Sequence, residues 1–206
     1  MLEEAVQSVL TQTYTDYELF ILDDNSSLSE QHALIAGYWN DPRVRVYKDN
    51  VSRERRRDRV RYATMINVGL QLARGEYITY LCDDDLFLPD RLETMTARLD
   101  QGDCQVVYGE QQMENYRGAD RGIRFQAAGV LENAYGVDHS SVMHTKGASD
   151  AVGGWDDNPG RWHDADAAFW ARLTSAGYHF HPVNKVTDIH RFHDASVQSS
   201  GYGRDF

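Results

Sequence analysis

The chain is poor in cysteine and proline, with two and four among 206 residues. The two thiols, Cys82 and Cys104, form no CxxC or CxxH pair and are too few for a disulfide framework. They fit a reducing, cytoplasmic setting. No apolar run approaches the roughly 20 residues that cross a bilayer. The opening "MLEEAVQSVL" carries two acids where a signal peptide is basic. Peripheral association with a membrane is left open. Basic residues are outnumbered 21 to 32, for a formal net charge of -11. That balance disfavours nucleic acid, which needs basic patches against its phosphates. It still allows an anionic ligand bound through a divalent cation. Repeats and low-complexity linkers are lacking too.

What remains is ordinary globular composition, 41% hydrophobic and 26% charged. Leu2, Val6, Val9 and Leu10 recur at helical spacing. "LFIL", Leu19 to Leu22, reads as a buried strand ending at Asp23 and Asp24. Ser26, Ser27 and Ser29 offer caps for a helix through Leu34, Ile35 and Tyr38. "RVRVY" is a strand around Val44 to Tyr47. A helix through Tyr62, Met65, Ile66, Leu70 and Ala73 is expected to stop at Gly75. "YITYL" is the next strand, and it runs into Asp83, Asp84 and Asp85. Pro89 opens a helix with Leu92, Met95 and Leu99 inward, and "VVY", Val106 to Tyr108, is a further strand. Alternating strands and helices predict an α/β domain with a mostly parallel sheet, whose ligands gather at strand carboxyl ends. Gln111 to Ala134 reads as an irregular or antiparallel insertion, Ala165 to Ala176 as a helix stopped by Gly177, and "YHFHPV" as a strand before a polar, histidine-rich tail from Asp188.

Several clusters can carry chemistry, and each has a plain structural reading. The triplet Asp83–Asp85 suits Mg²⁺ or Mn²⁺, since hard oxygen ligands hold such ions together with substrate phosphates. It is equally a solvated turn with Asp85 capping the next helix. Asp23–Asp24 is either an Asx turn or a carboxylate that accepts from a base N–H or a ribose hydroxyl. Six arginines lie between Arg53 and Arg61. Most form a solvated face paired with Glu54 and Asp58, while Arg56 is a candidate for a diphosphate. Asp164 and Asp166 flank a helix start, where acids are favoured electrostatically, or supply a general base. His139, His144, His163, His190 and His193 show no HxxxH spacing.

The stretches "SVLTQTYTDYELFILDDNSS", "INVGLQLARGEYITYLCDDDLFLPDRL", "GGWDD…DADAAFWARLTSAGYHF" and "HRFHDASV" resemble family 2 glycosyltransferases of the GT-A fold. The likeness is greatest to the spore-coat polysaccharide transferases, through "RVRVY", "VRYA", "GEYITY", "PDRL" and "DHSSVMH". It spans nearly the whole chain in one order. It implies a GT-A-like α/β domain, with residues 1–110 binding the nucleotide sugar and 111–206 the acceptor and the catalytic base. Asp24 matches the base-reading aspartate and Arg56 an arginine near the nucleotide. Asp83 matches the ribose-side acid and Asp84 the metal ligand of a DXD-type motif. Asp85, a further metal candidate, stands where relatives carry a neutral residue. Asp166 matches the catalytic base. Asp164 is the second candidate, because Ala165 replaces a glutamate common in relatives. The implied activity is metal-dependent inverting transfer from a UDP- or dTDP-type sugar to a hydroxyl of a glycan or other acceptor, in polysaccharide biosynthesis. The family's usual first strand, of the type "VSVIIPTYN", is expected to be missing, because Met1 falls inside the helix that follows it. The residues alone leave two rivals open: a non-catalytic nucleotide-sugar binding module, and a doubly wound phosphoacceptor domain. The chain is long for the latter and shows no later strand-end lysine.

Overall fold

The computed structural model describes residues 1–26, 36–38, 40–115, 120–124 and 129–192. Helix α1 (Leu2–Leu10) turns Ala5, Val6 and Val9 inward at helical spacing. Strand β1 (Leu19–Asp23) follows and pairs in parallel with β2 (Val44–Lys48), Leu19 opposite Val44. A 3₁₀ turn over Arg53–Asp58 leads to helix α2 (Arg61–Leu72). That helix stops when Ala73 turns extended, before Gly75 is reached. The expected helix through Leu34 and Ile35 falls outside the described residues.

The second sheet holds β3 (Tyr77–Thr79), β4 (Leu86–Phe87), β5 (Val106–Asn115), β6 (Asp120–Arg124), β7 (Val142–Thr145) and β8 (Phe180–Phe192). Its order is β3-β7-β5-β8-β4, with β6 on β5. The pair β5–β8 is parallel, and the pairs β3–β7, β4–β8, β5–β6 and β5–β7 are antiparallel. The α/β class stands, and this sheet is mixed rather than mostly parallel. Helices α3 (Arg91–Leu99), α4 (Lys146–Ala151) and α5 (Ala165–Ser175) and 3₁₀ turns over His139–Ser141 and Pro159–Arg161 accompany the sheet.

Strand β5 organises the core by alternation. Val106 and Tyr108 pack with Phe169, Trp170 and Leu173 of α5 and with Phe180. Val107 packs on the other face with Leu92, Met95 and Leu99 of α3 and with Val9. Trp170 is fully buried and its indole N–H donates to the Val137 carbonyl at 2.9 Å. Gly109 sits at a register shift between β5 and β8, where an added Cβ would lie 1.9 Å from Thr187 Oγ1. The chain can pass so close only without a side chain.

Strand β8 corrects the expected polar tail. Asp188 to Phe192 form its C-terminal end, and Asp188 is fully buried. The pattern misleads because this segment spends its polar groups inside, on buried partners, rather than on water.

Among the described residues, nothing pairs with the free edges of β1 and β3, and the two sheets stay separate. Between them lies a cavity of about 2260 Å³, walled by α1, α2, β1 and β3. A drug-sized pocket measures roughly 300–1,000 Å³, so this one exceeds a small molecule's needs.

Candidate active site

The carboxyl end of β1 places Asp24 beside two arginines. Arg56 Nη1 donates to the Asp24 carbonyl at 2.7 Å and Nη2 to Asp24 Oδ2 at 2.5 Å. Arg61 Nε and Nη2 donate to Asp24 Oδ1 at 3.0 and 2.6 Å, and Arg61 also pairs with Asp49. The Arg61 guanidinium beside Asp49 holds that carboxyl below its usual range. A carboxylate has about four acceptor directions. Three are taken on Asp24, and one on Oδ2 stays available to a ligand. Arg56, the candidate for a diphosphate, therefore stands at the Asp24 end of the cavity.

The acidic triplet divides. Asp83 and Asp84 line the cavity. Asp85 is fully buried off its wall. Asp85 Oδ1 accepts from the Arg191 amide at 3.0 Å. Its Oδ2 lies 3.3 Å from Ser140 Oγ and 3.1 Å from His190 Nδ1. These three contacts fix the Asp85 carboxyl in the frame of the site and leave one acceptor direction, on Oδ1. Arg191 adds a strap, donating from Nε to the Asp84 carbonyl and from Nη1 to Glu4 at 2.8 Å. Cys82, Asp84 and Asp85 bring ligand atoms within 4.8 Å of one another. Burial pushes the Cys82 thiol well above its ordinary pKa.

Asp166, in the first turn of α5, lines the same cavity. Its Oδ1 accepts from the Ala167 amide at 2.8 Å. Asp164 is the helix N-cap residue but makes no side-chain cap bond. It pairs instead with Arg161 at 3.0 Å and is absent from the cavity wall. One hollow thus gathers Asp24, Arg56, Asp83, Asp84 and Asp166, and leaves Asp85 and Asp164 outside.

Sequence reasoning missed the aromatic wall. Tyr62 stacks on His139 with ring centroids 6.5 Å apart, and Trp155 meets both rings edge-on. Tyr80 accepts from Trp155 Nε1 at 3.2 Å and bonds His144 Nε2 at 2.7 Å. These residues lie far apart in the chain, so no spacing pattern joins them. Burial also pushes the Tyr62 phenol above its ordinary pKa, with Asp166 adding to the rise. His163 lines the cavity as well, and His193 lies outside the described residues. No helix among the described residues is long and apolar enough to cross a membrane.

Known proteins resemble this chain in both sequence and fold. A family model described as Glycosyl transferase family 2 matches residues 1–140. Protein CgeD of Bacillus subtilis is 37% identical over 197 residues, covering 91% of this chain and 46% of that protein. Glycosyltransferase GlyG of Streptococcus pneumoniae is 31% identical over 129 residues, 62% of this chain and 40% of that one. Residues 1–349 of S. aureus TarS, solved with UDP-GlcNAc, superpose with a TM-score of 0.74 over 98% of this chain and 58% of that one, at 16% identity. The chain spans less than half the length of these curated relatives. With the match over residues 1–140 and the shared architecture, the chain belongs to glycosyl transferase family 2 and has the GT-A fold.

Proposed function

We propose that the chain carries the donor site and base of a metal-dependent inverting transferase, which moves a sugar from a UDP- or dTDP-type donor to an acceptor hydroxyl during glycan synthesis. The carrying observation is that Asp24, Asp84 and Asp166 line one cavity although they come from three separate stretches of sequence. Residues 1–110 would hold the nucleotide, and 111–206 the acceptor and the base. TarS bound to UDP-GlcNAc and to UDP supports a nucleotide-sugar donor by likeness of fold. The two free thiols suit a reducing cytoplasm.

At the nucleotide end, the free acceptor direction of Asp24 Oδ2 beside the Arg56 donors suits the N–H and C=O edge of a uracil or thymine ring. Asp83 would accept from the ribose. The donor set fits a hard divalent ion, because Mg²⁺ needs only one or two carboxylates beside substrate phosphates, and Asp84 supplies one on the cavity wall. Such an ion would neutralise charge on the departing diphosphate. Asp166 takes the acceptor hydroxyl proton. The oxygen then bonds to the anomeric carbon as the bond to the diphosphate breaks, and the nucleoside diphosphate leaves with the electron pair. Attack opposite the leaving group inverts the anomeric centre.

The test is sugar transfer from a panel of UDP- and dTDP-sugars with Mn²⁺. Asp166→Asn should lower turnover by about 10²–10⁴-fold while leaving UDP affinity intact. Equal turnover removes Asp166 from the mechanism. The open edges of β1 and β3 favour one second reading, binding without turnover. Metal-dependent UDP binding with neither transfer nor donor hydrolysis would support it.

A further inference from the structure

Trp162, in the turn that leads into α5, keeps an indole 37% exposed on the same cavity wall as Asp166. We propose that this indole is the platform on which a neutral pyranose ring of the acceptor stacks, so that the acceptor is an uncharged saccharide. The inference rests on the reading of this cavity as the transfer site and adds to it the class of acceptor.

The turn that carries Trp162 is tied down by its own backbone. Asn158 Oδ1 accepts from the Gly160 amide at 2.9 Å, and the Asn158 carbonyl from the Arg161 amide at 2.8 Å. The Arg161 carbonyl accepts from the Asp164 amide at 3.2 Å, which closes a turn around Trp162 and His163. A platform fixed before the ligand arrives loses little freedom on binding. Four peptide steps of about 3.8 Å hold the Cα atoms of Trp162 and Asp166 within about 15 Å, and the turn shortens that path. One or two sugar rings span such a distance. A ring on the indole therefore brings a hydroxyl within reach of Asp166.

The chemistry of this wall selects the occupant. Trp155 and Trp170 are spent inside the aromatic core, whereas Trp162 is not. An indole face carries partial negative charge. It attracts the C–H groups on the flat side of a pyranose and repels a carboxylate or phosphate. Arg161 pairs with Asp156 at 3.5 Å and with Asp164 at 3.0 Å, so the charges flanking the indole are matched within the turn. Asp24, Arg56, Asp83 and Asp84 charge the donor side, while Pro159, Gly160 and Trp162 give this stretch an uncharged wall. The net charge of -11 opposes an anionic acceptor further.

The experiment is saturation-transfer NMR on the full chain with UDP and diamagnetic Mg²⁺. The probes are the methyl glycosides of glucose, galactose, mannose, N-acetylglucosamine and N-acetylgalactosamine. Glucuronate serves as the anionic control and glycerol as the control without a ring. The expected result is saturation of the ring C–H protons of at least one methyl glycoside, with neither control bound as well. Trp162→Ala should weaken that glycoside by about 10-fold and Trp162→Phe by less than about 3-fold, with UDP affinity unchanged in both. Circular dichroism checks that Trp162→Ala stays folded. If it does not, the glycoside should still slow oxidation of Trp162 by N-bromosuccinimide in the unaltered chain, located by mass spectrometry. Glycoside affinity kept in Trp162→Ala, a control bound better than every glycoside, no glycoside bound by a chain that holds UDP, or oxidation unaffected by the glycoside overturns the inference and leaves the donor site standing. Failure of the unaltered chain to bind UDP overturns the transfer-site reading and the inference together.

Discussion

Asp85 Oδ2 and His190 Nδ1 meet at 3.1 Å, which ties the end of the acidic triplet to the C-terminal end of β8. Three adjacent acids therefore face two environments, with Asp83 and Asp84 toward the cavity and Asp85 into the protein. The repulsion implied by their adjacency is relieved by direction as much as by any counter-ion.

A pair of isosteric substitutions should separate these roles. Asp85→Asn puts amide hydrogens where Ser140 and His190 offer contacts, and should cost about 2 kcal/mol, roughly 4–8 °C in Tm. Asp84→Asn, on the cavity wall, should cost less than about 1 kcal/mol. Scanning calorimetry on both variants decides it, and equal Tm values would contradict this division.

Arg56 and Arg61 share Asp24 but differ in depth. The Arg61 side chain is 9% exposed and that of Arg56 is 39% exposed. Arg61 alone also bridges to Asp49. Lysine cannot reproduce a forked contact to two carboxylates. Arg61→Lys should therefore lose about 2–3 kcal/mol, and Arg56→Lys less than about 1 kcal/mol. Urea unfolding measures both, and equal losses would contradict the difference in burial.

Two buried groups oppose each other in their pH dependence. Burial pushes Asp188 up to about 6 and His144 down to about 4. The folded state holds the Asp188 proton more tightly than the unfolded chain does. That contribution is complete at low pH and is lost as pH rises through about 6. His144 is held neutral, so its contribution is present above its unfolded value of 6.5 and is lost as pH falls through about 4. Across the shared window the two slopes offset. Asp188→Asn should make stability climb more steeply with pH, by at most about 1.4 kcal/mol per pH unit. Urea midpoints of both proteins at three pH values across that window test the sign, and parallel curves would contradict it.

The free edges of β1 and β3 should show in hydrogen exchange. Amides of Leu19–Asp23 and Tyr77–Thr79 that face the cavity lack strand partners among the described residues. They should exchange at least about 10²-fold faster than those of Val106–Tyr108 in the core of the larger sheet. Uniform protection would mean that the cavity closes in solution.

Much of the frame was legible because periodicity reports burial. The apolar faces of α1 and α3 follow from spacing alone, while of the apolar run Leu19–Leu22 in β1 only Ile21 is fully enclosed. The length of β8 did not, because Thr187, Asp188, His190 and Arg191 are polar yet buried on specific partners. Helix α2 stops short of Gly75, because Ala73 turns extended with no residue-type signal. Of the site, the acidic residues showed in the sequence, but their sorting did not. Asp84 and Asp85 are adjacent and alike, and only Arg191, Ser140 and His190 tell them apart.

The central claim is that a cation at Asp84 lets this acidic chain hold a nucleoside diphosphate. Calorimetric titration of UDP into the chain, with and without Mn²⁺ and in Asp84→Asn, tests it most directly. The account predicts that removing Mn²⁺ or substituting Asp84 weakens UDP binding by at least about 10-fold, or 1.4 kcal/mol. UDP affinity that is the same in all three titrations would contradict it.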